Sequence, residues 1–70
     1  MTPAQEYRIN IIRNNLTDRP KTAGELAKDS GIKLTDTQVL NAGKYIPEMR
    51  HCQVIRQECN DFKTRLGYFK

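Results

Sequence analysis

Three short polar motifs constrain the fold of this chain more than any other feature of its sequence. Each is a threonine followed three residues later by Gln or Glu, at Thr2–Gln5, Thr22–Glu25 and Thr35–Gln38. In such a capping box the threonine hydroxyl accepts a hydrogen bond from the third backbone N–H of a helix, and the longer side chain bonds back to the threonine N–H. The sequence therefore predicts three helix starts, all upstream of Val39.

The end of each helix is marked by a residue that helical backbone tolerates poorly. Pro20 disfavours helical backbone in the residue before it, and Gly31 suits the left-handed conformation that follows a last helical turn. Pro47 has no N–H to donate to a helical hydrogen bond. We therefore expect helices over about residues 3–16, 23–30 and 36–46.

The remaining segment, about residues 52–69, alternates apolar and polar side chains and predicts a β-hairpin. Asn60 and Asp61 tolerate positive φ and are expected to form its two-residue turn. With this turn, one face is expected to pack on the core and carries Cys59, Phe62, Ile55, Leu66 and Tyr68. The other face is mostly basic and sets Arg56 opposite Arg65, a like-charge pair that is unfavourable in isolation.

Length and composition indicate a single small domain. A chain of 70 residues buries only about 60 % of its unfolded surface, so its stability is expected to be marginal. No uninterrupted apolar run is longer than a pair such as Ile11-Ile12, which predicts neither a membrane span nor a signal peptide. Two cysteines without an export signal suit a reducing compartment. We expect one cytoplasmic α+β domain, three helices followed by a C-terminal β-hairpin.

The charge of the chain is unevenly distributed. Twelve basic and eight acidic residues give a net charge of +4. Residues 50–70 carry five basic side chains against two acidic ones, whereas residues 35–49 carry one basic against two acidic. A modestly basic domain is compatible with a nucleic-acid partner.

The order of these elements resembles a winged helix-turn-helix domain. The residues that carry the resemblance are Thr22-Ala23-Gly24-Glu25-Leu26-Ala27, then Ser30-Gly31-Ile32, then Thr35-Asp36-Thr37-Gln38-Val39. They are similar to the family's capped helix with Glu-Leu-Ala, its glycine turn and its second capped helix. The hairpin resembles the wing, and Arg19-Pro20-Lys21 lies where the family often has a short strand that pairs with it. By analogy of size, the chain looks like a small regulator of the phage or mobile-element type.

The resemblance implies sequence-specific binding of duplex DNA by a small transcriptional regulator, with the third helix in the major groove and the wing on the backbone. The DNA contacts that it implies are Thr35, Thr37, Gln38, Asn41, Lys44 and Tyr45 on the third helix, and Arg56, Lys63 and Arg65 on the wing. The amides of Gln38 and Asn41 suit adenine edges. Winged helices also serve as protein-interaction modules without DNA binding, and a third helix that lacks arginine fits this alternative.

Two apolar stripes run along the first helix. One consists of Ile9, Ile12 and Leu16, and the second consists of Ala4, Tyr7 and Ile11. A helix buried over a wide arc would use both stripes in its own core. The alternative is that the second stripe meets another copy of the chain, which predicts a homodimer through helix 1.

Other chemistry has little support in the sequence. His51, Cys52 and Cys59 are its only histidine and cysteine side chains, and they lack the paired spacing of a structural zinc site. No nucleophile-and-base grouping and no glycine-rich phosphate loop is present. We therefore expect no enzyme activity, no cofactor and no metal ion.

Overall fold

The computed structural model describes the whole chain, Met1–Lys70. Three helices precede a two-stranded antiparallel hairpin, which is the α+β arrangement that the sequence predicts. The elements in chain order are α1 (Pro3–Asn15), α2 (Ala23–Ser30), α3 (Asp36–Gly43), β1 (Arg50–Glu58) and β2 (Asp61–Phe69).

All three predicted capping boxes are formed, at Thr2–Gln5, Thr22–Glu25 and Thr35–Gln38. In each box the threonine hydroxyl accepts a backbone N–H at 3.2 Å, and the Gln or Glu side chain accepts the threonine N–H at 2.9 to 3.1 Å. At the other end of α2, Gly31 adopts a φ of 77° and donates its N–H to Ala27 at 2.9 Å. Helices of eight residues do not persist alone in water, so caps and packing hold α2 and α3 in place.

α3 ends at Gly43, before the predicted end at Ile46. The N–H groups of Lys44, Tyr45 and Ile46 bond to carbonyl oxygens three residues back, which is the tighter pattern of a 3₁₀ turn. Pro47 disfavours helical backbone in the residue before it, so the chain tightens and leaves the helix early. Lys44 and Tyr45 therefore follow α3 on a turn.

The core lies between the three helices and the open end of the hairpin. Its buried apolar members are Ile12, Leu16, Ala23, Leu26, Leu34, Val39, Ala42, Ile46 and Tyr68. Tyr68 is the only member of this set from the hairpin, and it is completely buried. Of the second stripe on α1, Ile11 packs partly against the core, while Ala4 and Tyr7 are exposed.

Tyr68 joins three parts of the chain. Its N–H donates to the carbonyl of Lys21 at 2.7 Å and its carbonyl accepts the N–H of Lys21 at 3.0 Å, which forms an isolated antiparallel bridge beside β2. Its hydroxyl donates to the carboxylate of Asp36, the first residue of α3, at 3.1 Å. Burial, and then the negative charge of Asp36, raises the pKa of Tyr68 far above that of a free tyrosine. One side chain thus holds the start of α3 against the hairpin.

The hairpin turn falls one residue earlier than predicted. Cys59 and Asn60 form it, with φ values of 51° and 64°, instead of Asn60 and Asp61. We attribute the register to the contacts of β1, because Arg56 opposite Lys63 bonds to Glu25 and to the carbonyl of Pro20. In the predicted register Glu58 would lie opposite Lys63 instead and bring a second carboxylate toward Glu25. A local preference for one turn residue over another gives way to these long-range bonds of Arg56.

The observed register changes the predicted charge pairs. Arg56 lies opposite Lys63, and Arg65 lies opposite Val54, so the predicted Arg56–Arg65 pair is not formed. Every partner moves by two positions, which keeps each side chain on its predicted face. The register therefore differs from the predicted one without mixing the two faces.

The side of the hairpin that packs inward changes along its length. Near the open end Tyr68 is buried and Leu66 half-buried, as predicted. Toward the turn, Ile55 and Phe62 are 67 % and 69 % exposed, so the prediction that they pack on the core is wrong. The half-buried side chains of β1 lie on the opposite face and are Cys52, Val54, Arg56 and Glu58. Strands twist as they extend, so a long hairpin presents different faces to the helices at its two ends.

Gly67 permits a close crossing over β2. A Cβ atom at this position would lie 2.8 Å from Cγ1 of Val54 and 2.9 Å from Cβ of Pro20, closer than real side chains approach. The absence of a side chain therefore lets both Pro20 and Val54 lie close against β2 at Gly67. This contact brings the α1–α2 connection onto the charged face of the hairpin.

Tyr68→Phe tests the junction, because the substitution keeps the buried ring and removes the hydroxyl. We expect the free energy of unfolding at neutral pH to fall by about 1 kcal/mol with the loss of the bond to Asp36. Because the pKa of Tyr68 is raised in the folded chain, the wild type should keep this contribution below about pH 10 and lose stability as the pH rises toward the folded-state pKa. Urea unfolding at neutral and alkaline pH measures both effects. An equal loss of unfolding free energy at alkaline pH in the variant would contradict this role of the Tyr68 hydroxyl.

Candidate nucleic-acid interface

α3 and the turn after it present one largely polar surface to solvent, opposite the buried Val39 and Ala42. We call this surface the α3 outer face, and its exposed residues are Thr37, Leu40, Asn41, Lys44 and Tyr45. None of its polar side chains forms a hydrogen bond within the chain. The structure thus brings together four of the six predicted contacts of this region, with their donors and acceptors open to a ligand.

The other two predicted contacts, Thr35 and Gln38, are engaged in the capping box of α3. Oε1 of Gln38 accepts the N–H of Thr35 at 3.1 Å, and the Thr35 hydroxyl accepts the N–H of Gln38 at 3.2 Å. Gln38 is half-buried and lines a cleft of about 80 Å³ between α1 and α3. Because a bidentate bond to adenine needs both atoms of an amide, Asn41 offers the unengaged amide of α3.

Leu40 belongs to the α3 outer face although the sequence did not assign it there. It is 41 % exposed and lies beside Asn41. Its position at the edge of the apolar arc of a helical wheel is the signal that could have identified it. An exposed leucine gives this surface an apolar component beside its amide and ammonium groups.

The guanidinium of Arg56 is used inside the fold. Its Nε donates to Oε1 of Glu25 at 3.1 Å, its Nη2 to the carbonyl of Pro20 at 3.1 Å and its Nη1 to the carbonyl of Ile55 at 3.2 Å. The same Oε1 also closes the α2 capping box. The backbone N–H of Thr22 and then Arg56 hold the pKa of Glu25 below its ordinary value. Arg56 therefore fastens β1 to the start of α2.

The two other predicted contacts of the hairpin differ in their engagement. Arg65 donates to both carboxylate oxygens of Glu58, at 3.0 and 3.2 Å. This pairing lowers the pKa of Glu58 and raises that of Arg65. Lys63 is exposed and forms no ion pair or hydrogen bond within the chain. Among these three residues, Lys63 keeps all its donors for a ligand.

A groove of about 520 Å³ separates the starts of α2 and α3 from the charged face of the hairpin. Its charged lining residues are Glu25, Lys28, Asp36, Arg56, Glu58 and Arg65. Acidic and basic side chains are equally numerous in this set, so the groove does not present a single sign of charge to a polyanion.

The three metal-ligand candidates of the sequence, His51, Cys52 and Cys59, do not form a cluster. His51 and Cys52 point to opposite faces of β1, and Cys59 lies in the turn, with both cysteines as free thiols.

None of the helices combines the length and the apolar character that crossing a bilayer requires. Comparison of the chain with protein-family models, with curated proteins and with solved structures finds no match.

Arg56→Ala tests whether the Arg56 side chain stabilises the fold by joining β1 to the start of α2. We expect the free energy of unfolding to fall by about 1 kcal/mol, because an ion pair with Glu25 and bonds to the backbone carbonyls of Pro20 and Ile55 are lost. Lys63→Ala is the matched control across the strand pair, and it should stay within about 0.5 kcal/mol of wild type. Denaturant unfolding of the three proteins measures this. A gain in stability for Arg56→Ala would instead indicate that repulsion between Arg56 and Lys63, which lies opposite it, outweighs these bonds.

Glu25→Gln tests the charge of the same junction. Because the pKa of Glu25 is lowered in the folded chain, its contribution should be complete above about pH 4.3 and be lost as the pH falls through the folded-state pKa. Glutamine preserves the capping box, as Gln5 and Gln38 show, but it cannot titrate. We expect a smaller acid-induced loss of stability in the variant, measured by thermal melts from neutral to acidic pH. Equal losses in the two proteins would contradict the assignment.

Proposed function

We propose that this chain is a winged helix-turn-helix protein that binds duplex DNA sequence-specifically and acts as a small transcriptional regulator in the cytoplasm. The α3 outer face carries the proposal, because its polar side chains are exposed and make no bond within the chain. It lies on the second helix of a helix–glycine turn–helix unit, the position that enters the major groove in this family. The free thiols of Cys52 and Cys59 suit a reducing compartment.

The α3 outer face offers distinct groups to base edges. The Asn41 amide can donate to and accept from adenine, and the Leu40 side chain can contact a thymine methyl group. Lys44 can reach a guanine edge or a phosphate. At about 1.5 Å of rise per residue, an eight-residue helix spans about three base steps, so one copy reads a short sequence.

In this proposal, affinity for the phosphate backbone of DNA comes from cationic side chains that have no ion pair within the chain. Lys63 supplies the hairpin contact, because Arg56 and Arg65 are held by carboxylates of the same chain. Lys44 supplies a second cation beside α3. A net charge of +4 supports attraction to duplex DNA at low salt.

Fluorescence-anisotropy titrations with a selected duplex and with random duplexes, each at several salt concentrations, test the proposal. Asn41→Ala should cost about 1–3 kcal/mol of binding free energy on the selected site and relax its sequence preference. Lys63→Ala should weaken binding to all duplexes alike and reduce the salt slope by about one unit. Arg19→Ala, which removes a cation outside the proposed interface, is the control for charge alone.

The same titrations can overturn the proposal. Absence of salt-dependent affinity for any duplex in the folded wild type would exclude DNA binding. Equal losses for Lys63→Ala and Arg19→Ala would exclude the hairpin contact and leave only a general charge effect.

A second function, a protein-interaction module without DNA binding, is favoured by the apolar part of the same surface. Leu40 and Tyr45 are 41 % and 56 % exposed on the two sides of Asn41. Aromatic and apolar groups that are uncovered in this way are suited to the centre of a protein interface. Capture of a partner that survives nuclease treatment and is lost on Tyr45→Ala would support this function over the first.

A further inference from the structure

We propose that the free edge of β1 pairs with β1 of a second copy of this chain. The two hairpins then form one antiparallel sheet about a two-fold axis through Val54. This interface lies on a different element from the α3 outer face, and the inference does not depend on what that face binds.

The direction of the backbone groups of β1 follows from the bridge at Tyr68. Both the N–H and the carbonyl of Tyr68 bond to Lys21, so they point away from β1. In an antiparallel pair, opposite residues that do not bond to each other both direct their N–H and carbonyl groups away from the partner strand. His51 lies opposite Tyr68, so the N–H and the carbonyl of His51 point away from β2. The pattern repeats at every second residue and includes Gln53, Ile55 and Gln57.

This edge lacks the features that usually prevent strands from pairing. β1 contains no proline or glycine, and its register with β2 is continuous over all its residues. None of the four residues whose backbone groups point outward is Asp, Glu, Lys or Arg. The carbonyl of Ile55 accepts a bond from Nη1 of Arg56, and a carbonyl oxygen has a second lone pair for another donor.

Charge selects one register for the pairing of two copies. With the axis at Val54, Arg50 lies opposite Glu58 of the second copy, and symmetry makes this contact twice. Moving the axis one residue toward the start of β1 sets Arg50 opposite Arg56, a repulsive pair. Moving it one residue toward the turn leaves Arg50 opposite the turn itself. Only the central register is therefore complementary in charge.

The two charged residues are available for this contact. Arg50 is exposed and has no ion pair within the chain. The side chain of Glu58 is 40 % exposed, and a carboxylate has lone pairs beyond the two that Arg65 uses. The pairing thus adds an ion pair without breaking the existing one.

The same register gathers exposed apolar surface. The outer half of the hairpin has an uncharged face made of Gln53, Ile55, Gln57, Phe62 and Thr64. With the axis at Val54, Ile55 lies opposite Gln53 of the second copy and diagonal to the second Ile55, within reach for side-chain contact. Pairing of two copies therefore covers part of the Ile55 side chain, which is 67 % exposed in the single copy.

Amide hydrogen exchange and sedimentation of the full chain, from low micromolar to millimolar concentration, test the inference. We expect the sedimenting mass to double and the N–H groups of His51, Gln53, Ile55 and Gln57 to exchange more slowly as concentration rises. Arg50→Glu should raise the midpoint concentration of association about tenfold, because two attractive contacts become repulsive. Lys33→Glu makes the same charge change outside β1 and should leave the midpoint unaltered.

Gln53→Pro provides a second variant, because it removes an outward N–H without removing a bond to β2. We expect it to stay monomeric with an unchanged circular-dichroism spectrum. A wild type that stays monomeric at millimolar concentration would overturn the inference. So would a dimer that tolerates both β1 variants, and its loss on Tyr7→Glu would assign the contact to the α1 stripe of Ala4, Tyr7 and Ile11.

Discussion

Burial of Tyr68 is the interaction on which the rest of this small structure depends. Its ring is the hairpin's contribution to the buried core, its backbone pairs with Lys21, and its hydroxyl bonds to Asp36 at the start of α3. These contacts are made at residues far apart in the chain, so they bring the α1–α2 connection, α3 and β2 together. The position of α3 beside the hairpin follows from these contacts. A chain with so few buried residues has few other ways to attach a long hairpin to three short helices.

Electrostatic pairing does structural work here and reduces the surface that a ligand can use. The ion pairs are Arg13–Glu48, Lys21–Asp29, Arg56–Glu25 and Arg65–Glu58. Each joins residues from different elements or segments, and the pair with Glu25 also involves a helix cap. Individually such partly exposed pairs stabilise little, but they occupy the guanidinium groups that a basic sequence suggests for phosphate binding. Among the predicted DNA contacts, the side chains left open are Thr37, Asn41, Lys44 and Tyr45 on the α3 outer face and Lys63 on the hairpin.

The two proposals concern surfaces on separate elements and are compatible. The proposed DNA binding uses the α3 outer face, whereas the proposed association uses the outer edge of β1. A two-fold pair of hairpins would carry two copies of the outer face related by the same axis. Dimers of helix-turn-helix proteins read paired half-sites in this manner, which would extend the short sequence that one eight-residue helix can contact.

Features of this fold that depend on near neighbours in the chain can be predicted from the sequence. The capping boxes at Thr2, Thr22 and Thr35 and the turn at Gly31 involve bonds over three or four residues, so local chemistry is sufficient to predict them. The hairpin register depends on long-range contacts, because moving the turn by one residue preserves the alternation from which the hairpin was predicted. The role of Arg56 also depends on such contacts, because its carboxylate partner lies 31 residues away in the chain. Pairing over such distances is governed by which side chains burial brings together, and no local pattern encodes that.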